Sequence, residues 1–219
     1  MNRRFESHLF WGSQSPLSSF GSVGLIILAS SRFAFAVICT GALIWVFALT
    51  ALVYSGARAI LPARGKMVVL LFLSAFFCGI FMLLAGLLNP LLVLGTAFFM
   101  ILVPPCCLGT EFFENSEPVF LMEVFSRALL EAIVLAGIIL ALALIREPLG
   151  MGTLSFPGGA QGIIELFGSG KDDAFVLARS LSVSAGGLLL LGYGTALFRY
   201  FGESSGGISR NGQAHEGIR

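Results

Sequence analysis

Two adjacent cysteines are the residues of this sequence best suited to metal chemistry. Cys106 and Cys107 follow a proline pair in the segment Val-Pro-Pro-Cys-Cys-Leu-Gly, which ends at Gly109. Thiolates are soft ligands suited to iron–sulfur clusters. Cysteine is also a common small apolar residue in buried helices, and two adjacent thiols are not a four-ligand set. The residues alone therefore leave metal ligation and simple packing both open.

An acidic side chain interrupts one of the apolar runs of the chain. Glu131 lies within Leu129–Ile145, and an ionisable residue inside a membrane span is by default a functional candidate, here on an ion path. Glu131 also follows Arg127 by four residues, so an ion pair near the membrane surface is the alternative. Arg146 and Glu147 come directly after the same run, where charged side chains commonly anchor a helix at the membrane boundary.

The composition places these residues in a membrane protein. Of the 219 residues, 57% are hydrophobic and 11% are charged, and the mean hydropathy is +0.93. A soluble domain averages about 45–50% apolar and about 25% charged residues, and a soluble fold of this length could not shield so much apolar surface. This excludes a soluble enzyme domain, a disordered chain and a nucleic-acid binder with a basic face. The net charge of +1 implies no acidic partner.

Six apolar elements are predicted to form one multi-pass membrane domain. Five of them approach the roughly 20 residues that a membrane-crossing helix needs. These five are Phe33–Gly56, Met67–Leu88, Leu91–Leu108, Leu129–Ile145 and Ser182–Phe198. The sixth, Phe20–Ala29, is short, which is typical of a re-entrant or interfacial segment. A signal peptide is the competing interpretation of this run, although it starts late and Arg32 interrupts it.

The basic residues are distributed unequally between the two sides of this topology. Nine fall on the side of the N-terminus and four on the other, so the positive-inside rule predicts that both termini are cytoplasmic. The nine are Arg3, Arg4, Arg58, Arg64, Lys66, Arg127, Arg199, Arg210 and Arg219, and the four are Arg32, Arg146, Lys171 and Arg179. Five spans instead of six would place the termini on opposite sides.

The elements divide into two halves near Pro90. Residues 20–88 and residues 91–201 each contain one interrupted run followed by two regular spans. An N-terminal segment at 1–19 precedes the two halves, and a polar tail at 202–219, predicted to be mobile, follows them. Three elements per half give the halves opposite orientations, and broken first helices in matching positions indicate a site at the membrane midplane. The expected fold class is all-α, a 3+3 inverted repeat whose first and fourth elements are broken or half-helices. Pro104 and Pro105 are expected to break the fourth element.

Two connections between the spans have distinct compositions. Residues 109–127 are acidic and are predicted to form a solvated surface loop. Residues 147–179 are rich in glycine and proline, and they contain the short apolar segment Ala160–Phe167, which is predicted to lie at the membrane interface.

A ten-residue segment at the end of the fifth span resembles a family signature. Its residues are Ile145-Arg146-Glu147-Pro148-Leu149-Gly150-Met151-Gly152-Thr153-Leu154. The signature is Ile-Arg-Glu-x-Leu-Gly-x-Gly-Thr-Leu, found in the RnfE/NqrD-type subunits of the membrane electron-transport complexes Rnf and Nqr. Upstream, the cysteine segment lies where that family has Asn-Cys-x-x-x-Gly-Arg-x-Glu-x-Phe, with Gly109 at the glycine of the motif. The resemblance covers roughly residues 20–200.

The resemblance implies a fold, a cofactor and partners. RnfE/NqrD-type subunits have six helices in a 3+3 inverted repeat, and each pairs with a homologous RnfA/NqrE-type subunit of opposite topology. Each of the two contributes two cysteines to a [2Fe-2S] cluster that passes electrons across the bilayer, coupled to movement of Na⁺ or H⁺. By resemblance, this chain is a multi-pass subunit of the bacterial cytoplasmic membrane that is not catalytic alone. Its partners would be the homologous subunit, other Rnf/Nqr-like membrane subunits and the lipid bilayer, with no nucleic acid.

The cysteines of this chain depart from the pattern of the family. With Gly109 aligned, the family cysteine falls on Pro105, one residue before Cys106. In the first half, the family has Gly-x-Cys-Pro where this chain has Gly-Leu-Ile-Ile at residues 24–27. Three hypotheses follow. The chain is a divergent redox subunit in which the adjacent thiols ligate a cluster, a scaffold-only paralogue that lost the cluster, or a small secondary transporter or channel built on the same inverted repeat.

Overall fold

The computed structural model describes residues 20–57, 65–108, 121–158, 162–168 and 183–210. Within these ranges it contains seven helices and one two-stranded hairpin. In chain order the elements are α1 (Phe20–Ala29), α2 (Phe33–Ala57), α3 (Lys66–Leu88), α4 (Pro90–Met100), α5 (Val103–Leu108), α6 (Leu121–Met151), β1 (Thr153–Pro157), β2 (Ile163–Gly168) and α7 (Ser184–Arg210).

Three of these helices are long and apolar enough to cross a membrane. They are α2, α3 and the part of α6 that runs from Ala128 to Met151. Two further apolar helices are shorter, namely α4 and the first part of α7. The protein is therefore mostly helical with membrane-like helices, as its composition predicts.

Contacts along α2 and α3 show that these helices run in opposite directions. At one end, Lys66 Nζ lies 5.0 Å from the ring centre of Tyr54. Further along, the ring of Phe81 approaches Gly41, where a Cβ atom would lie 3.5 Å from the ring. Small residues at such positions allow helices to approach closely in a membrane.

The helices α4 and α5 run alongside α2 in the same direction. The ring of Phe35 lies against Gly95 of α4, and Thr50 contacts Cys107 of α5. Helix α6 runs the opposite way, because Glu147 near its C-terminal end lies at the start of α2. We call the end of the bundle that contains residues 29–33, 88–90, 151–158 and 162–168 the hairpin end. The opposite end contains residues 57, 66 and 108.

Helix α2 forms the centre of the bundle. Half of its apolar window is buried inside the protein, against 17% for α3. The buried side chains of α2 are mostly small or aliphatic, and they include Ala34, Ala36, Ala42, Leu43, Val46, Phe47 and Ala51. The exposed faces of α3 and α4 are apolar instead, with large side chains such as Phe72, Leu87, Leu88, Leu94 and Phe98. These faces have the character of a lipid-contacting surface.

Glycines with positive φ shape the segment that follows α6. Gly152 ends the helix at φ +65°, and its N–H donates to the carbonyl of Pro148 at 3.0 Å. This left-handed conformation at a helix C-terminus favours glycine because a Cβ atom would be strained there. The strands then pair antiparallel from Thr153 with Gly168 to Pro157 with Ile163, with an irregularity after Leu154.

The hairpin departs from the all-α expectation. The sequence analysis predicts helices only and places Ala160–Phe167 at the membrane interface without a strand, whereas in the structure residues 163–168 pair with 153–157. Backbone amides and carbonyls near an apolar environment require partners, and strand pairing supplies them. The β-branched residues Thr153, Ile163 and Ile164 favour this conformation.

The interruption of the fourth predicted element lies earlier than the sequence predicts. Helix α4 ends at Met100 and α5 begins at Val103, so the break falls at Ile101–Leu102. Pro104 and Pro105 occupy the first turn of α5, where their missing N–H groups would have no acceptor within the helix. The proline pair thus begins a helix instead of interrupting one.

Two helices are longer than predicted. Helix α6 begins at Leu121 and continues to Met151, past both ends of Leu129–Ile145. The backbone of α7 is helical from Ser184 through Arg210, past the predicted end of the closing span at Phe198. The N-terminal segment 1–19, Gly109 with most of the acidic connection, and residues 211–219 lie outside the described ranges.

The two signature glycines are expected to respond oppositely to substitution by alanine. Gly152→Ala should lower stability by roughly 1 kcal/mol, because residue 152 adopts a left-handed conformation. Gly150→Ala is the matched control and should be neutral or stabilising by up to about 1 kcal/mol, because residue 150 is helical. Thermal unfolding in detergent micelles measures both. Equal losses in the two variants would contradict the assigned helix end.

Candidate functional site

Helices α1 and α2 are separated by three residues at the hairpin end, and both helix ends there are buried. Ala29 and Ala34 are fully buried, and Ser30 is nearly so. The last carbonyls of α1 and the first amides of α2 have no partners within their own helices. In an apolar environment each unsatisfied group costs several kcal/mol. Side chains from elsewhere in the chain must therefore bind both helix ends.

Arg146 binds the end of α1. Its Nη1 donates to the carbonyl of Ile27 at 2.7 Å and to the hydroxyl of Ser30 at 3.1 Å. The Ser30 hydroxyl donates to the same carbonyl at 3.2 Å. A helix C-terminus carries a partial negative charge, so a cation there stabilises the helix by about 0.3–1 kcal/mol, and up to about 2 kcal/mol where the geometry is partly buried.

Glu147 binds the start of α2. Its Oε2 accepts a hydrogen bond from the Phe33 amide at 2.7 Å, and its Oε1 accepts one from the Ser155 amide at 3.0 Å. The Ser155 hydroxyl in turn accepts from the Ala34 amide at 3.3 Å. Two amides of the first turn of α2 are thereby satisfied, and the carboxylate lies at the positive end of the helix dipole.

Arg146 and Glu147 together form what we call the paired cap. Neighbouring residues on a helix project in directions about 100° apart, so one side chain reaches α1 and the other reaches α2. The expectation that these residues anchor α6 at the membrane boundary is wrong, since Arg146 is 2% exposed and Glu147 is 1% exposed. Their charges compensate helix ends inside the protein.

Helix α7 also passes close to the paired cap. A Cβ atom on Gly187 would lie 3.0 Å from Nη1 and 3.2 Å from Cζ of Arg146. Glycine at this position therefore leaves room for the guanidinium. The ring of Phe33 packs against Phe156 of β1 with centroids 5.1 Å apart, which places an aromatic pair beside the cap.

The adjacent cysteines lie inside the bundle, toward the opposite end. Cys106 is 2% exposed and Cys107 is fully buried. The thiol of Cys107 contacts the hydroxyl of Thr50 and interacts electrostatically with Cys106 and Glu131. Thr50 Oγ1 is buried without a regular hydrogen bond to the described residues, and Glu131 Oε2 is also shielded from solvent. We call these four residues the thiol cluster.

The thiol cluster does not fit a [2Fe-2S] cluster shared with a second subunit. Such sharing needs thiolates at a surface that the partner can reach, whereas the helices of this chain enclose Cys106 and Cys107. Within the described ranges, no three His, Cys, Asp or Glu side chains converge on one point. In the first half, the Gly-Leu-Ile-Ile segment contributes the fully buried apolar side chain of Ile26.

A second pair of thiols lies on the other side of the α4–α5 break. Cys39 and Cys78 are close enough to interact electrostatically. The Cys78 thiol donates to the carbonyl of Met100 at 3.5 Å, and Met100 is the last residue of α4. This thiol therefore binds a carbonyl at the helix end.

Three hydroxyl residues of the paired cap and the thiol cluster were not among the candidates predicted from the sequence. Ser30 and Ser155 complete the paired cap, and Thr50 belongs to the thiol cluster. A serine or threonine within a strongly apolar segment is a usable signal, because its hydroxyl must find a partner once it is buried. The sequence does not reveal which partner that is, since the partners lie up to 121 residues away.

The paired cap predicts a large effect for a conservative change. Glu147→Gln leaves the Phe33 or the Ser155 amide facing an N–H donor and removes the negative charge from the positive end of α2, so stability should fall by about 1–3 kcal/mol. Glu165→Gln makes the same chemical change on the exposed face of β2 and is the control. Thermal unfolding of both variants in micelles measures the difference. Equal stabilities would mean that the cap contributes nothing.

Searches for similar proteins found no match to this chain. No family model, no curated protein and no solved structure matches the chain.

Proposed function

We propose that this chain is an integral membrane subunit of an Rnf/Nqr-like ion-translocating electron-transport complex. The paired cap carries the proposal. Arg146 and Glu147 lie in the segment that resembles the RnfE/NqrD-type signature, and they bind the two helix ends at the junction between the first and second predicted elements. A segment that fixes the short first element against the second is consistent with a fold in which each half begins with a half-helix.

The helix directions support the 3+3 inverted repeat as part of this proposal. Helix α2 runs away from the hairpin end, and its proposed counterpart α6 runs toward it. Helix α3 runs toward the hairpin end, whereas α7 starts there, beside Arg146. The first elements follow the same rule, because α1 ends at the hairpin end and α4 begins there. Opposite directions for all three pairs are what an inverted repeat requires.

We place the chain in the bacterial cytoplasmic membrane with both termini in the cytoplasm. The paired cap strengthens the charge argument, because a buried Arg146 bound to α1 does not contact lipid headgroups. If Arg146 is left out of the count, the side of the termini has nine basic residues and the other side has three, namely Arg32, Lys171 and Arg179.

Within this function, the enclosed thiols favour the scaffold-only version. A subunit that positions broken helices for its neighbours without ligating a cluster accounts for the buried Cys106 and Cys107 and for the apolar residue at Ile26. In that case the homologous RnfA/NqrE-type partner and the other membrane subunits supply the redox groups.

A second function is supported by the thiol cluster. Glu131 and Thr50 place a carboxyl and a hydroxyl together inside the helix bundle, and ionisable groups at such positions mark ion pathways. A small transporter or channel would use them without a redox partner. Ion flux in liposomes that contain this chain alone tests this function, and Glu131→Gln should abolish any flux that depends on the site.

Purification with its neighbours tests the electron-transport proposal. A tagged chain, isolated anaerobically in mild detergent, should co-purify with flavin-bearing and iron-bearing membrane subunits. In the scaffold-only version, the double variant Cys106→Ser/Cys107→Ser should leave both the iron content and the EPR signal unchanged. Loss of the signal with subunit composition preserved would make these thiols cluster ligands. Isolation of the chain without any redox subunit would contradict the complex itself.

Reporter fusions test the proposed orientation. A fluorescent protein fused after Arg219 should be fluorescent, because that position is proposed to be cytoplasmic. Alkaline phosphatase inserted after Lys171 should be active, because that position is proposed to lie on the other side. The opposite pair of results would invert the topology.

A further inference from the structure

The hairpin contacts two helix junctions at the same end of the bundle. Its first strand lies at the α1–α2 break, where Ser155 binds Glu147 and Ala34. Gly162, which precedes the second strand, lies at the α3–α4 junction, where Asn89 Nδ2 donates to the Gly162 carbonyl at 3.3 Å. The junctions are about 60 residues apart in sequence, and the hairpin lies across both.

The contact at the turn is closely fitted. Gly162 is buried at φ +85°, and a Cβ atom there would lie 3.1 Å from Asn89 Oδ1 and 3.2 Å from the Leu92 nitrogen. Asn89 Oδ1 accepts a hydrogen bond from the Leu92 amide at 3.3 Å, which caps the start of α4. One side chain thus caps a helix and binds the turn of the hairpin.

The two contacts are joined by a short, hydrogen-bonded ladder. Five residue pairs connect the strands, and the Gly158 amide donates to the Gly162 carbonyl at 3.1 Å. That carbonyl also accepts from Asn89. Displacement of the turn would therefore act on the same ladder that holds Ser155 against α2.

We propose that the hairpin is a conformational bridge that couples the α1–α2 break to the α3–α4 junction, so that the two junctions open together. The short helix α1 is also buried beside the α4–α5 break, where a Cβ atom on Gly24 would lie 3.7 Å from the side chain of Leu102. Coupling between two sites is reciprocal, so release of either contact of the hairpin must loosen the other. The bridge is independent of the electron-transport proposal, because it requires no partner and no redox group.

Amide-resolved hydrogen exchange of the full chain in lipid nanodiscs tests the bridge. Asn89→Asp retains the oxygen that caps Leu92 but removes the donor to Gly162, and it adds a negative charge beside that carbonyl. Exchange should accelerate about fivefold or more, the effect of one lost hydrogen bond, at the Gly158 amide and also at the Phe33 and Ala34 amides. Gly162→Ala, which displaces the turn without changing Asn89, should give the same pattern.

The reverse variant and a control complete the test. Ser155→Ala removes the acceptor of the Ala34 amide and should accelerate exchange at Gly158, on the far side of the hairpin. Glu165→Gln changes an exposed hairpin residue that contacts neither junction in the described structure and should alter none of these amides. The bridge would be overturned if Asn89→Asp accelerated amide exchange at Gly158 but not at Phe33 and Ala34, or if it accelerated exchange at none of these amides. A response to Ser155→Ala that is confined to Ala34 would also overturn it.

Discussion

The requirement that backbone groups at helix ends find partners in an apolar interior explains where several buried polar side chains of this protein lie. Each junction between buried helices leaves carbonyls at the end of one helix and amides at the start of the next, and an apolar interior offers no water to bind them. At the α1–α2 break the paired cap of Arg146 and Glu147 binds both sides. At the α4–α5 break the Cys78 thiol binds the Met100 carbonyl. At the α3–α4 junction Asn89 caps the next helix.

The paired cap illustrates why two adjacent residues of opposite charge suit this position. Burial of a charge costs several kcal/mol unless nearby charges or dipoles compensate it. Here the negative end of α1 faces the cation and the positive end of α2 faces the carboxylate, so each charge meets the helix terminus that favours it. The net gain in stability from such a buried pair is modest, since desolvation opposes attraction. The pair also constrains how α1, α2 and α6 are placed, because its hydrogen bonds to α1 and α2 are made from adjacent residues of α6.

The sequence predicts the apolar architecture well and the polar contacts poorly. Long apolar runs identify α2, α3 and α6, because the membrane allows few alternatives to a helix of that length. The position of the fourth break is missed, since Pro104 and Pro105 are as compatible with the first turn of a helix as with its interruption. The burial of Arg146 is missed for a different reason. A charged residue after an apolar run has the same local sequence whether it reaches headgroups or a distant helix end, and only tertiary contacts distinguish the two.

The structure also changes what the resemblance to RnfE/NqrD-type subunits can mean for this chain. The segment with the strongest resemblance has a structural task, since Glu147 binds α2 and Gly152 ends α6. The segment with the weakest resemblance contains the cysteines, and their thiols face Thr50 and Glu131 within the chain. Under the proposed function, a structural segment that resembles the signature, together with enclosed cysteines, fits a subunit that positions helices for a complex and holds no cluster itself. The scaffold and the cluster ligands are separable, because the hydrogen bonds that position α1 and α2 involve none of the four thiols.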